Sequence, residues 1–172
     1  MLVINFKAYS KATGKEALKI AEKCASAAEE FRSELILAPQ SHDLLRLDDT
    51  EATIYSQHLS SFSPGSHTGH PVAEGLEDAG AEGTLLNHSE RRIPDREMLK
   101  TSIDRARKNE MEVILCAQSP EEVGELSKLK PDYIAFEPPE LIGGDTAVSE
   151  AEPELIEKAY RQAEVPLLAG AG

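Results

Sequence analysis

Seven short apolar runs, most of them separated by helix-patterned segments, limit what this sequence can fold into. They cover residues 2–7, 35–40, 53–58, 84–88, 112–117, 132–137 and 165–169. Each is rich in Val, Ile or Leu and nearly unbroken, which is how strands buried on both faces read. Between them, residues 14–31 carry Ala17, Leu18, Ala21, Cys24, Ala25 and Ala28 at helical spacing, with Thr13 placed to cap the helix. Residues 95–108 predict a second helix with Met98, Leu99, Ile103 and Ala106 inward. Residues 121–129 and 153–163 predict two more, the last opening on Pro153, whose fixed φ suits a first turn. Weaker helical patterns cover 42–47 and 72–79. Such alternation predicts an α/β protein with a parallel sheet and right-handed crossovers. A closed eight-stranded barrel and an open doubly wound sheet both satisfy it.

With 172 residues, no low-complexity tract and no linker, the expectation is a single domain over 1–172. The formal net charge of −13 argues against a nucleic-acid partner, whose phosphates would be repelled. No apolar run approaches a membrane span, and the N-terminus lacks the basic start of a signal peptide. Cys24 and Cys116 have no metal-type spacing and read as reduced thiols, which points to the cytoplasm. No Gly-x-Gly-x-x-Gly follows the first run, so a dinucleotide cofactor is not expected.

Chemistry is expected where the runs end, because ligands of parallel α/β proteins bind at the carboxyl ends of strands. Asn5 and Lys7 end the first run, Gln40 the second, Gln57 and His58 the third, and Asn87 and His88 the fourth; Glu137 ends the sixth. A histidine there can sit neutral or charged near pH 7. A carboxylate held partly out of water is the better base, and the two prolines after Glu137 stiffen its exit. Lys7 can neutralise an anionic substrate. Each residue also has an ordinary structural reading: a hydrogen-bonded histidine, a surface carboxylate, a solvated lysine. Glu90 reads as one half of a structural ion pair. Residues 138–145, prolines at one end and Gly143-Gly144 at the other, have the make-up of a hinged lid. His67-x-x-His70 has no third ligand nearby, so no metal is expected.

Taken together, Asn5-Phe6-Lys7, Gly65-Ser66-His67-Thr68-Gly69-His70, Asn87-His88-Ser89-Glu90-Arg91-Arg92 and Phe136-Glu137-Pro138-Pro139-Glu140-Leu141-Ile142-Gly143 resemble the triosephosphate isomerase family, its compact archaeal branch in particular. The resemblance implies a (β/α)8 TIM barrel, here incomplete with about seven strands. It implies interconversion of dihydroxyacetone phosphate and D-glyceraldehyde 3-phosphate through an enediolate, in glycolysis and gluconeogenesis, with no cofactor. By carry-over Glu137 is the base and His88 the neutral electrophile, a helix start at Ser89 disfavouring its charged form; Lys7 supplies positive charge and Asn5 orients the substrate. Ile142 and Gly143 of the lid, and Gly172, lie near the substrate, and Glu90 supports the site. Gln57 and Thr68 lie at a contact of a homodimer or homotetramer.

Two departures bear on activity. The lid reads Ile142-Gly143-Gly144-Asp145 where the family has Ile-Gly-Thr-Gly, and the family continues past Gly172 into a last strand and helices. The expectation is little turnover from this chain unless a second piece completes it. The competing expectations are a non-catalytic homologue, or inactive fragment, binding a phosphorylated ligand or partner, and another barrel enzyme handling a phosphorylated sugar.

Overall fold

Residues 1–139 and 153–170 are described in the computed structural model of the chain. They fall into two units, Met1–Leu85 with Asp104–Met111, and Leu86–Ile103 with Glu112–Gly172.

In the first unit the strands β1 (Leu2–Asn5), β2 (Leu35–Ala38), β3 (Thr53–Ser56) and β4 (Gly83–Leu86) follow one another in chain order. The pairs are parallel, with Asn5 opposite Ala38, Leu37 opposite Ile54 and Tyr55 opposite Gly83. Helix α1 (Lys15–Phe31) buries Ala17 and Ala21 and lies against β2 and against the short helix α2 (Leu44–Leu47). Leu37, Leu44, Leu47 and Tyr55 are fully buried. Each large apolar side chain taken out of water in this way contributes roughly 1.5–3 kcal/mol. Ser56 donates to Thr84 Oγ1 at 2.8 Å and Thr84 donates to the Leu85 carbonyl at 3.0 Å, so this buried polar pair is satisfied. Helix α3 (Ala73–Glu77) is tied by an ion pair from Glu74 to Arg105, on the C-terminal half of helix α4 (Arg96–Lys108).

In the second unit β5 (Glu112–Ala117), β6 (Tyr133–Phe136) and β7 (Leu167–Ala169) are again parallel and in chain order, with Cys116 opposite Ala135 and Phe136 opposite Ala169. Helix α5 (Pro120–Ser127) packs against β5, β6 and helix α6 (Pro153–Gln162). Ser119 caps α5 by accepting the Glu122 N–H, and Pro120 occupies its first turn.

The alternation and the parallel pairing agree with the sequence pattern, and several details differ. The runs overshoot the strands: β1 ends at Asn5, β2 at Ala38, β3 at Ser56, β4 at Leu86 and β6 at Phe136. The residues beyond turn into loops, and Lys7 and Asn87 adopt positive φ values of 49° and 63°. Burial on both faces fails for β1, where Leu2 is 57% exposed, and for β7, none of whose three residues is buried. Each of these strands borders one partner within its own unit, β2 or β6. Met98 is exposed rather than inward, since Leu99, Ile103 and Ala106, four and three residues apart, share the buried face of α4 and Met98 falls beside it; Asp95 Oδ1 caps the helix by accepting from the Glu97 and Met98 N–H groups. Thr13 does not cap α1. The fully buried carboxylate of Asp43 accepts instead, from the Gly14 N–H at 2.8 Å and the Thr13 hydroxyl at 3.1 Å.

Candidate active site

Strand β4 delivers Asn87 and His88. Once the strand stops at Leu86, Asn87 takes a left-handed conformation and bends the chain. His88 follows, 7% exposed, at the head of a 3-10 turn (Ser89–Arg91). Its Nδ1 accepts the Glu90 backbone N–H at 3.2 Å. A ring nitrogen that accepts carries no proton, so the proton of the neutral ring lies on Nε2. A helical turn does start at Ser89, as expected, and being a single 3-10 turn it supplies one N–H aimed at Nδ1 rather than the dipole of a long helix.

Nε2 of His88 lies 3.6 Å from Oε2 of Glu137, the residue directly after β6. Glu137 donates its N–H to the Ala117 carbonyl at 2.9 Å, which continues the β5–β6 ladder by one step and fixes the base of the side chain. Oε2 is buried and accepts no hydrogen bond among the described residues. A buried acceptor left open costs free energy unless a ligand fills it. Gly170 donates to the Phe136 carbonyl at 3.1 Å, and a Cβ added there would come within 3.6 Å of Glu137 Oε1. The buried Cys116 thiol also neighbours this carboxylate. Burial first, and then the Glu137 charge and hydrogen bond, push its pKa well up, so it is a neutral thiol.

Glu90 stands with Oε2 3.7 Å from His88 Nδ1. In the first unit, Asn5 Oδ1 accepts the Lys7 N–H at 2.9 Å across the positive-φ turn. Gln57 donates to the Lys7 carbonyl at 2.9 Å and to the Ala38 carbonyl at 3.0 Å, joining the ends of β1, β2 and β3. Thr68 lies in the exposed stretch 63–70. His67 stacks on Phe62 and His70 meets that ring edge-on, while His70 Nδ1 lies 3.2 Å from Ser60 Oγ. Among the described residues no group of three or more His, Cys, Asp or Glu could hold a metal ion. Ile142, Gly143, Gly144, Asp145 and Gly172, with most of the expected lid, lie outside the described residues. The sequence reading passed over Cys116 and Gly170 as site residues: one sits inside an apolar run and the other in a glycine-rich strand end.

An imidazole Nε2 beside a buried carboxylate oxygen that accepts no hydrogen bond among the described residues, both at the carboxyl ends of parallel strands, is a pairing suited to acid–base chemistry. The fold and this pairing mark a member of the parallel α/β class with an acid–base pair at its strand ends. The comparisons narrow it. Residues 1–172 match the family model described as triosephosphate isomerase. Proteins of that name from Methanothermus fervidus, Methanocaldococcus jannaschii and Sulfolobus acidocaldarius are 37%, 38% and 39% identical over 178, 178 and 177 residues. The matches cover 100% of this chain in each case, and 80%, 81% and 76% of those proteins. The crystal structure of triosephosphate isomerase from Bartonella henselae is 21% identical, covers 98% of this chain and 81% of that one, and superposes with a TM-score of 0.73. The chain belongs to the triosephosphate isomerase family, and its fold is that of a (β/α)8 barrel, seven of whose strands are described.

Proposed function

We propose that Glu137 and His88 divide the proton work of triose phosphate isomerisation, with Lys7 and Asn5 serving the same substrate. The family carries the reaction: dihydroxyacetone phosphate and D-glyceraldehyde 3-phosphate interconvert as a step of glycolysis and gluconeogenesis. Glu137 takes a proton from C1 of dihydroxyacetone phosphate. The C–H electron pair becomes the C1–C2 double bond, and the carbonyl pair moves onto O2. His88 donates from Nε2 to O2 and recovers the proton of O1 as the aldehyde forms. Glu137 then returns its proton to C2. Lys7 balances the enediolate and phosphate charge, and Asn5 orients the substrate. Ile142, Gly143 and Gly172 are assigned to the phosphate side and Glu90 to support of the histidine.

The observation that supports this best is the open, buried Oε2 of Glu137 beside the protonated Nε2 of His88. Isomerisation run in D2O by the protein carrying this sequence tests it. Deuterium is expected at C2 of the aldehyde product, because a carboxylic acid exchanges with solvent between the two transfers. Product free of deuterium at C2, or binding of the triose without turnover, would overturn the proposal. The latter result is what a non-catalytic homologue would give.

The family carries an oligomeric assembly. The proposal here is a homodimer or homotetramer with Thr68 at the contact and Gln57 behind it, in the cytoplasm. No helix of the described residues is long and apolar enough to cross a membrane. The two thiols, Cys24 and Cys116, are free. The same proposal has residues 1–172 belong to one barrel domain.

A further inference from the structure

We propose that Asn87 is a positioning residue for His88, its left-handed backbone and its amide together fixing which ring nitrogen carries the proton. The proposal rests on the role assigned to His88 and adds a residue that this role does not name.

Asn87 is 1% exposed and every polar group of its side chain is used. Nδ2 donates to the carbonyl of Cys116 on β5 at 3.0 Å, and Oδ1 accepts the Ile93 N–H at 3.0 Å. Both partners are backbone groups of fixed polarity, so the amide has one orientation only. The Asn87 carbonyl lies 3.4 Å from Arg92 Nη1, and Arg92 also pairs with Glu122 on α5. The peptide before His88 is thereby tied to β5, and the segment after it returns to the same residue at Ile93. Residues 88–92 form a loop closed on the Asn87 amide. That loop holds the Glu90 N–H opposite His88 Nδ1.

The residue type follows from these demands. A φ of 63° favours Gly or Asn. Glycine brings no clamp. Aspartate accepts from Ile93 but cannot donate to the Cys116 carbonyl, and it buries a charge. Only asparagine meets the backbone demand and supplies both a donor and an acceptor. If the clamp opens, the Glu90 N–H leaves Nδ1 and the proton is free to move from Nε2 to Nδ1. The donor at the substrate side is then lost in part of the population.

Ring 15N spectroscopy of His88 and steady-state kinetics, on the parent chain, Asn87→Gly and Asn87→Asp, test this. In the parent, the neutral ring of His88 is expected as the single Nε2–H tautomer; an Nδ1–H or mixed ring there overturns the proposal before a variant is made. Asn87→Gly keeps the backbone conformation and is expected to give mixed tautomers, with kcat lower by roughly 10- to 100-fold and KM within about threefold. Asn87→Asp, carrying half of the clamp, is expected to alter the tautomer ratio in the same direction. If both variants show the parent's single tautomer, or kcat within about twofold of the parent at a lowered melting temperature, Asn87 is structural only and the proposal fails. His88→Gln separates this from the underlying assignment. An unchanged kcat there removes His88 from the mechanism, whereas a lowered kcat there with an unaffected Asn87→Gly removes only Asn87.

Discussion

Cys116 and Cys24 are both free thiols whose pKa is raised by burial, and they differ in what else surrounds them. Cys116 is closed off, with the Glu137 carboxylate adding to the effect of burial; Cys24 is half-buried on α1. The thiolate is the reactive form, so exposure and pKa together decide reactivity. An aromatic disulfide reagent at pH 8 is expected to titrate one thiol per folded chain, slowly, and two after denaturation. Two reactive thiols in the folded chain would contradict the description of Cys116. A thiol whose pKa is raised on folding contributes stability below the ordinary thiol range, and that stability is lost as pH rises, because the unfolded chain releases a proton that the folded chain keeps. His88 and Glu137 were legible as polar residues at the ends of apolar runs. Asn87 was legible in the same way, but its clamp and the place of Cys116 beside Glu137 were not, because they lie in a backbone torsion and in the β5–β6 register, neither of which leaves a pattern along the chain.

Two features of the elements hold this machinery, and each can be perturbed. Gly83 on β4 lies opposite Tyr55 on β3, and an added Cβ would come within 2.5 Å of the Tyr55 ring, which is fully buried and cannot swing away. Gly83→Ala is expected to cost about 1–3 kcal/mol, read as a lowered urea midpoint; a midpoint unchanged from the parent would show that β3 and β4 can separate at no cost. The second feature is Glu122 on α5, held by Arg92 and by the Gln118 N–H. Burial alone would raise its carboxyl pKa, but the Arg92 and Gln118 hydrogen bonds outweigh burial and hold it below the usual carboxylate range. A depressed carboxylate contributes stability above its unfolded pKa and loses it as pH falls through the folded value. Glu122→Gln is therefore expected to lower stability at pH 7 by about 1–3 kcal/mol and to flatten its decline in acid. An acid limb as steep as the parent's would refute the assignment. The strand and helix order was readable because short unbroken apolar runs differ from an apolar stripe at a period of 3.6. The strand ends were not, since Phe6 is apolar and 3% exposed yet lies past the end of β1, where burial continues after the pairing stops.

At the scale of the molecule, the stretch 63–70 is exposed throughout and is braced by Phe62 against His67 and His70, while Ser60 donates its N–H to the Pro71 carbonyl at its base. An exposed loop held rigid by its own rings suits insertion into a partner, since little ordering remains to be done on binding. Sedimentation is expected to give a multiple of the single-chain mass, and Thr68→Arg is expected to shift it toward the monomer; a monomeric parent would refute the proposed assembly. Proton transfer by Glu137 is tested most directly by shortening that side chain by one methylene. In Glu137→Asp the carboxylate is withdrawn from the carbon-bound proton while its charge is kept. The expected result is a kcat lower by about 100-fold or more with KM within a few-fold. A kcat equal to the parent's would contradict the account.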